Sequence, residues 1–190
     1  GRMAMEDKKF AEAADYFTKA LLLSPDLESG YYFLAMAQID LNHTSEALAT
    51  LDKARQKFPQ SFALEFYTAA AFSKQKAYTE ALQHFVTAEV IAKATNPKLL
   101  DEGFYFQLGA AHERKGDLAQ AEQYFQKSLS LAPNFAETMN YLGYMWAEHD
   151  MKLDQARELI EKAVKAEPKN AAFLDSLAWV LFKQKHPKEA

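Results

Sequence analysis

Proline and alanine recur along this chain with a period near 34 residues, and that spacing limits the fold more than any other feature. Prolines stand at Pro25 and Pro59, 34 residues apart, and at Pro133 and Pro168, 35 apart. Twelve residues before each lies an alanine, at Ala13, Ala47, Ala121 and Ala156, and Ala81 falls in phase, 34 residues after Ala47. Seven residues on from these come Ala20, Ala54, Ala88, Ser128 and Ala163, with Phe17, Leu51, Phe85, Phe125 and Ile160 between the two small positions. A second series of small residues, Ala35, Ala69, Gly109, Gly143 and Ala178, follows Leu34, Thr68, Leu108, Leu142 and Leu177. A period of this length is one supersecondary unit that must stack on its neighbours to bury its apolar face. Small residues mark where two helices approach closely, bulky ones fill the space beside them, and proline marks where the second helix stops, because its ring cannot continue one.

Composition agrees with helices. Hydrophobic residues make up 49% and charged residues 25% of the 190, with only 6 Gly and 6 Pro. The abundant Ala, Leu, Glu, Lys and Gln lose least on entering a helix. A net charge of −4 lacks the basic surplus that displaces counterions from phosphates, which argues against a nucleic-acid partner. No apolar run approaches the ~18 residues of a membrane span. With no cysteine, disulfides and thiolate metal sites are excluded.

The stretch from Tyr105-Phe-Gln-Leu-Gly-Ala-Ala-His112 through Ala121-Glu-Gln-Tyr-Phe125 to Pro133 resembles a consensus tetratricopeptide repeat (TPR), and the in-phase copies extend that resemblance over nearly the whole chain. The resemblance implies an all-α, right-handed α-solenoid of antiparallel helix hairpins. On this reading 1–190 is a single array: a partial repeat over 1–25 whose second helix covers 10–23, repeats at about 27–59, 61–96, 98–133 and 135–168, and a truncated repeat over 170–190. Two irregularities interrupt the register. About six extra residues fall near Lys93-Ala-Thr-Asn-Pro-Lys98, where Lys93 takes the expected proline's place, and one enters the turn at His149-Asp-Met-Lys152. Both ends read as cut, the last two or three residues starting a further helix at Lys188–Ala190. The uncapped end is expected to expose Leu177, Val180 and Leu181, a surface for homo-association.

In the family, the first helix of each repeat lines a concave groove, from positions three before, one after, and four or five after its small residue. Carried onto this chain, the first row is Tyr32, Phe66, Phe106, Asn140 and Asp175, and the second is Met36, Ala70, Ala110, Tyr144 and Trp179. The further rows hold Ile39, Asp40, Ser73, Lys74, Glu113, Arg114, Ala147, Glu148, Phe182 and Lys183. Aromatic anchors beside charged residues suit an extended peptide or helix of a protein partner. The function this implies is a protein–protein interaction scaffold. The alternative is a structural, self-assembling array whose groove is filled by its own or a neighbouring chain. Relatives that grip chaperone C-termini use a carboxylate clamp of Lys and Asn on these rows. Here only Lys74, Arg114 and Lys183 could meet a carboxylate, with Asp40, Glu113 and Glu148 beside them, so that clamp is not expected.

No convergent catalytic, cofactor or metal set is visible, and no enzyme activity is expected. His112-Glu113 begins like a zinc-protease helix, but Gly116 stands where the second histidine must be. His112 takes the family's usual tyrosine position and reads as a packed core residue. His43, His84, His149 and His186 read as turn or exposed helix residues. The pairs Asp101-Glu102 and Glu158 with Glu161 read as outer-face solubility charge. Asn140-Tyr-Leu-Gly-Tyr-Met-Trp146, Leu153-Asp-Gln-Ala-Arg-Glu-Leu-Ile160 and Phe173-Leu-Asp-Ser-Leu-Ala-Trp179 resemble the C-terminal repeats of large bacterial TPR proteins. Several of those are envelope-associated, which implies a bacterial source and favours the periplasmic side of the envelope over the cytoplasm.

Overall fold

The structure, a computed structural model, describes residues 1–185, which form helices and turns with no strand. They fall into two compact units, Gly1–Leu100 and a second beginning at Asp101. The first unit runs α1 (Arg2–Glu6), α2 (Phe10–Leu23), α3 (Glu28–Asp40), α4 (Thr44–Arg55), α5 (Phe62–Lys74) and α6 (Tyr78–Thr95), closed by a 3-10 turn at Pro97–Leu99. The second runs α7 (Glu102–Lys115), α8 (Leu118–Leu131), α9 (Ala136–Glu148), α10 (Leu153–Ala166) and α11 (Ala171–Lys183). Within each unit successive helices pack as hairpins, and the first helices of neighbouring hairpins touch as well, α3 on α5 and α9 on α11.

The small residues lie where backbones cross. Ala13, Ala47, Ala81, Ala121 and Ala156 are completely buried, as are Ala35 and Ala69. At Gly109 a Cβ would come within 2.8 Å of the Phe125 ring, and at Gly143 within 2.7 Å of Ile160 and 2.8 Å of the Ala156 carbonyl oxygen. Alanine fits the first two hairpins of this kind, whereas these two crossings admit only glycine without repacking. Between them Leu51, Phe85, Phe125 and Ile160 are fully buried. Ser128, the one polar member of its series, stays in the core because its hydroxyl meets that of Thr138 at 2.9 Å.

Each hairpin turn uses the same closure. Lys8, Asn42, Lys76, Gly116 and Asp150 all have positive φ, from 53° to 93°. The amide after each donates to a carbonyl five residues back, as in Ala77 to Phe72 at 2.9 Å and Asp117 to His112 at 2.9 Å. This is a Schellman-type end that tolerates glycine best, yet only one of the five is glycine. The extra residue at 149–152 adds a second left-handed position, Lys152, with φ 43°. At the other irregularity, α6 runs on for 18 residues to Thr95 because no proline stops it. Helices α2, α8 and α10 instead end two residues before Pro25, Pro133 and Pro168.

Two expectations are corrected by burial and capping. Val180 is fully buried and Leu181 is 5% exposed, so these face inward; Val180 packs in the cluster of Leu142, Met145, Trp146 and Ile160. The large apolar residues of α11 that are exposed are Leu174, Trp179 and Phe182. Asp101 is a helix cap, its carboxylate accepting from the Phe104 amide at 2.8 Å. The expected helix start at Lys188–Ala190, like His186, lies outside the described residues.

Candidate functional site

The first helices of the hairpins present their outward residues differently in the two units. In the first unit Tyr32 is half-buried between Phe33, 4.7 Å away, and Tyr67, onto which it stacks at 5.7 Å with the planes 10° apart. Phe66 is half-buried too, edge-on to Tyr67 at 5.3 Å and Phe85 at 5.8 Å and stacked on Phe62 at 5.8 Å. These rings are already packed against protein. Met36 is half-buried, and Lys74 and Asp40 are exposed. Partial desolvation holds the Asp40 carboxyl above its ordinary range, with the charge of Lys74 pulling it down.

In the second unit Phe106 is half-buried among Phe125, Phe135 and Tyr141, at 6.0, 6.0 and 5.5 Å. Arg114 donates through Nε to the Tyr141 hydroxyl at 3.0 Å and pairs with Glu113 at 3.2 Å. Burial and the Glu113 charge raise the Tyr141 phenol above its ordinary value, with Arg114 opposing.

Further along, the face changes. Asn140, Tyr144 and Glu148 sit four residues apart on α9, and Asp175, Trp179 and Lys183 do the same on α11, so each trio lines one side of its helix. Tyr144 and Trp179 are each 38% exposed and Phe182 58%. Among the described residues Trp179 stacks only along its own helix, on Phe182 at 5.7 Å. The Lys183 ammonium lies 5.4 Å from the Trp179 ring centre and donates to Asp150 at 2.8 Å. The side-chain oxygen of Asn140 is shielded from solvent and, among the described residues, accepts no hydrogen bond. Ala147, placed on this face by the repeat register, is fully buried instead.

A second polar constellation escaped the sequence reading. Glu65 on α5 is 5% exposed. Its carboxylate accepts from Arg55 Nε at 2.7 Å and meets His84 Nδ1 at 2.6 Å. Arg55 also donates to Thr68 at 2.9 Å and Asp52 at 2.7 Å. His84 is half-buried and stacked on Phe72 at 5.4 Å, not an exposed helix residue as expected. Burial alone would push the Glu65 carboxyl up, but the His84 hydrogen bond and the Arg55 charge outweigh it and leave the pKa below its ordinary value. The signal was in the register: Glu65 stands where the other repeats hold Tyr31, Tyr105, Met139 and Leu174, and His84 where they hold Tyr16, Thr50, Tyr124 and Leu159. Arg55, Glu65 and His84 join α4, α5 and α6 into a polar seam, a bridging role rather than a cleft.

The other histidines lie apart. His112 stacks on Tyr124 at 5.3 Å, and burial lowers its pKa. His43 precedes α4, and His149 closes α9. Among the described residues no three of His, Asp and Glu draw together as metal ligands, and no helix is long and apolar enough to cross a membrane.

These hairpins, their small-residue crossings and their left-handed closures define a TPR solenoid, and the chain belongs to the tetratricopeptide repeat family. Tetratricopeptide repeat family models match residues 4–70, 103–135 and 152–190. A TPR repeat-containing protein of Pseudomonas aeruginosa is 30% identical over 190 aligned residues, covering 97% of this chain and 30% of that protein. The chain thus spans about a third of that relative's length. Among solved structures, a thermophilic TPR protein of Thermus thermophilus superposes with a TM-score of 0.79 at 20% identity, covering 96% of this chain and 95% of that one. YrrB, described as a TPR protein with an unusual peptide-binding site, gives 0.67 at 20% identity over 93% and 88% of the two chains. The fold is that of a protein-interaction scaffold.

Proposed function

We propose that this chain binds a peptide or helical segment of a partner protein on the outward face of its first helices, chiefly on α9 and α11. The observation that carries this reading is the exposure of Tyr144, Trp179 and Phe182 on one continuous two-helix face. Large rings left half in water on rigid, neighbouring helices are the usual anchors of a protein interface, since they bring contact area at little conformational cost. Phe106, Arg114, Asn140 and Asp175 extend that face within its own unit, and Tyr32, Met36, Phe66 and Lys74 hold the matching rows of the first unit. Tyr32, Phe66 and Phe106 act mainly as packing, because their rings are committed to neighbours. The peptide-binding site attributed to YrrB supports the reading by likeness of fold. A periplasmic location remains part of this proposal, carried by the resemblance of the C-terminal repeats alone.

The test is affinity capture from an extract of the source organism with the chain as bait, against a Tyr144→Ala/Trp179→Ala variant whose circular dichroism matches the original. A protein retained by the first and lost by the second supports the face as receptor. Equal retention moves the interface elsewhere.

A further inference from the structure

We infer that the α9–α11 face takes a cationic amphipathic segment, whose basic side chains answer Glu148 and Asp175 while its apolar ones cover Tyr144, Trp179 and Phe182. This rests on the binding reading above and adds the chemistry of the partner.

Charge complementarity carries the inference. The bases on this side of the second unit are already spent: Lys183 is bonded to Asp150 at 2.8 Å, and Arg114 is held by Glu113 at 3.2 Å and by the Tyr141 hydroxyl at 3.0 Å. Lys185 lies past the end of α11, in its closing turn. The carboxylates of Glu148 and Asp175 are exposed and, among the described residues, take part in no hydrogen bond or ion pair. Each is one helical turn from an exposed ring, Glu148 from Tyr144 and Asp175 from Trp179. Aromatic faces carry negative potential, so rings and carboxylates here favour the same sign of ligand. Lys183 shows the geometry on the protein itself, its ammonium over Trp179 at 5.4 Å and on a carboxylate at once. An acidic segment would have to displace Glu113 or Asp150 before meeting a free cation, and would face Glu148 and Asp175 meanwhile.

The chain has 2 tryptophans, and Trp146 is 6% exposed, so emission that responds to an added peptide reports on Trp179. Three synthetic peptides with one amphipathic apolar pattern, their polar positions all Lys, all Gln or all Glu, are titrated at low salt. The Lys peptide is expected to shift Trp179 emission to the blue and to bind about tenfold more tightly than the Gln peptide, as two exposed ion pairs allow. Glu148→Gln/Asp175→Asn should remove that tenfold advantage and leave the Gln peptide unchanged. Equal binding of the Lys and Glu peptides, or an advantage that survives the double substitution, overturns the charge assignment while the binding face stands. Failure of all three peptides to move Trp179 emission overturns the assignment and counts against the face itself.

Discussion

In the α3–α5 pair the positions three residues before the small crossing residue hold Tyr32 and Phe66; in the α9–α11 pair they hold Asn140 and Asp175. One position past the crossing the order reverses, Met36 and Ala70 in the first pair against Tyr144 and Trp179 in the second. Rings in the earlier row reach the next helix and stack there, as Tyr32 does on Tyr67 at 5.7 Å, and the face closes on itself. With short polar residues in that row, the rings of the later row stay 38% exposed. Moving bulk by one helical turn therefore decides whether the rings of a repeat face are covered or left exposed, while the backbone stays the same.

Truncations should separate the two pairs by stability. Phe66→Ala is expected to cost about 3 kcal/mol in urea unfolding, since it empties space beside Phe62, Tyr67 and Phe85. Tyr144→Ala or Trp179→Ala should cost less than about 1 kcal/mol; equal losses at the two sites would end the comparison. Between them falls the polar seam of the first unit, which the open pair lacks, having Met139 and Leu174 at the Glu65 position. Glu65→Gln should cost about 2 kcal/mol at neutral pH by leaving Arg55 and His84 without their charged acceptor. Because the folded pKa of Glu65 lies below its unfolded value, its stabilisation is complete above about pH 4.3 and is lost as pH falls through the folded pKa. The Gln variant should flatten that acid limb in a pH series of melts. Smallest is the turn contrast between Lys76, φ 63°, and Gly116, φ 93°: Lys76→Gly should raise stability by about 0.5 kcal/mol by relieving left-handed strain.

The fold was legible because its rules are local and periodic. Alanine spacing located the crossings, proline located three helix ends, and the missing proline at Lys93 marked the irregularity without saying whether helix or loop would take up the extra residues, which went to the lengthened α6. What register could not supply was burial at the edges of the pattern. Val180 and Leu181 read as an open end, yet α11 turns them onto its own unit. Tyr32 and Trp179 both read as groove aromatics, and only the neighbouring helix decides which ring is covered. The Glu65–His84 contact joins residues 19 apart on different helices, so it shows in sequence only as a departure from repeat consensus.

On the proposed function the open pair, rather than the second helices, meets the partner. A photo-crosslinking amino acid placed at Tyr144 or Trp179, and for comparison at Val86 on α6 or Leu131 on α8, tests it directly in an extract of the source organism. Both comparison positions are as exposed or more so, at 52% each. Crosslinks to a polypeptide are expected from 144 and 179 and none from 86 and 131. Crosslinks from 86 and 131 alone, or none from 144 and 179, would contradict the proposed function.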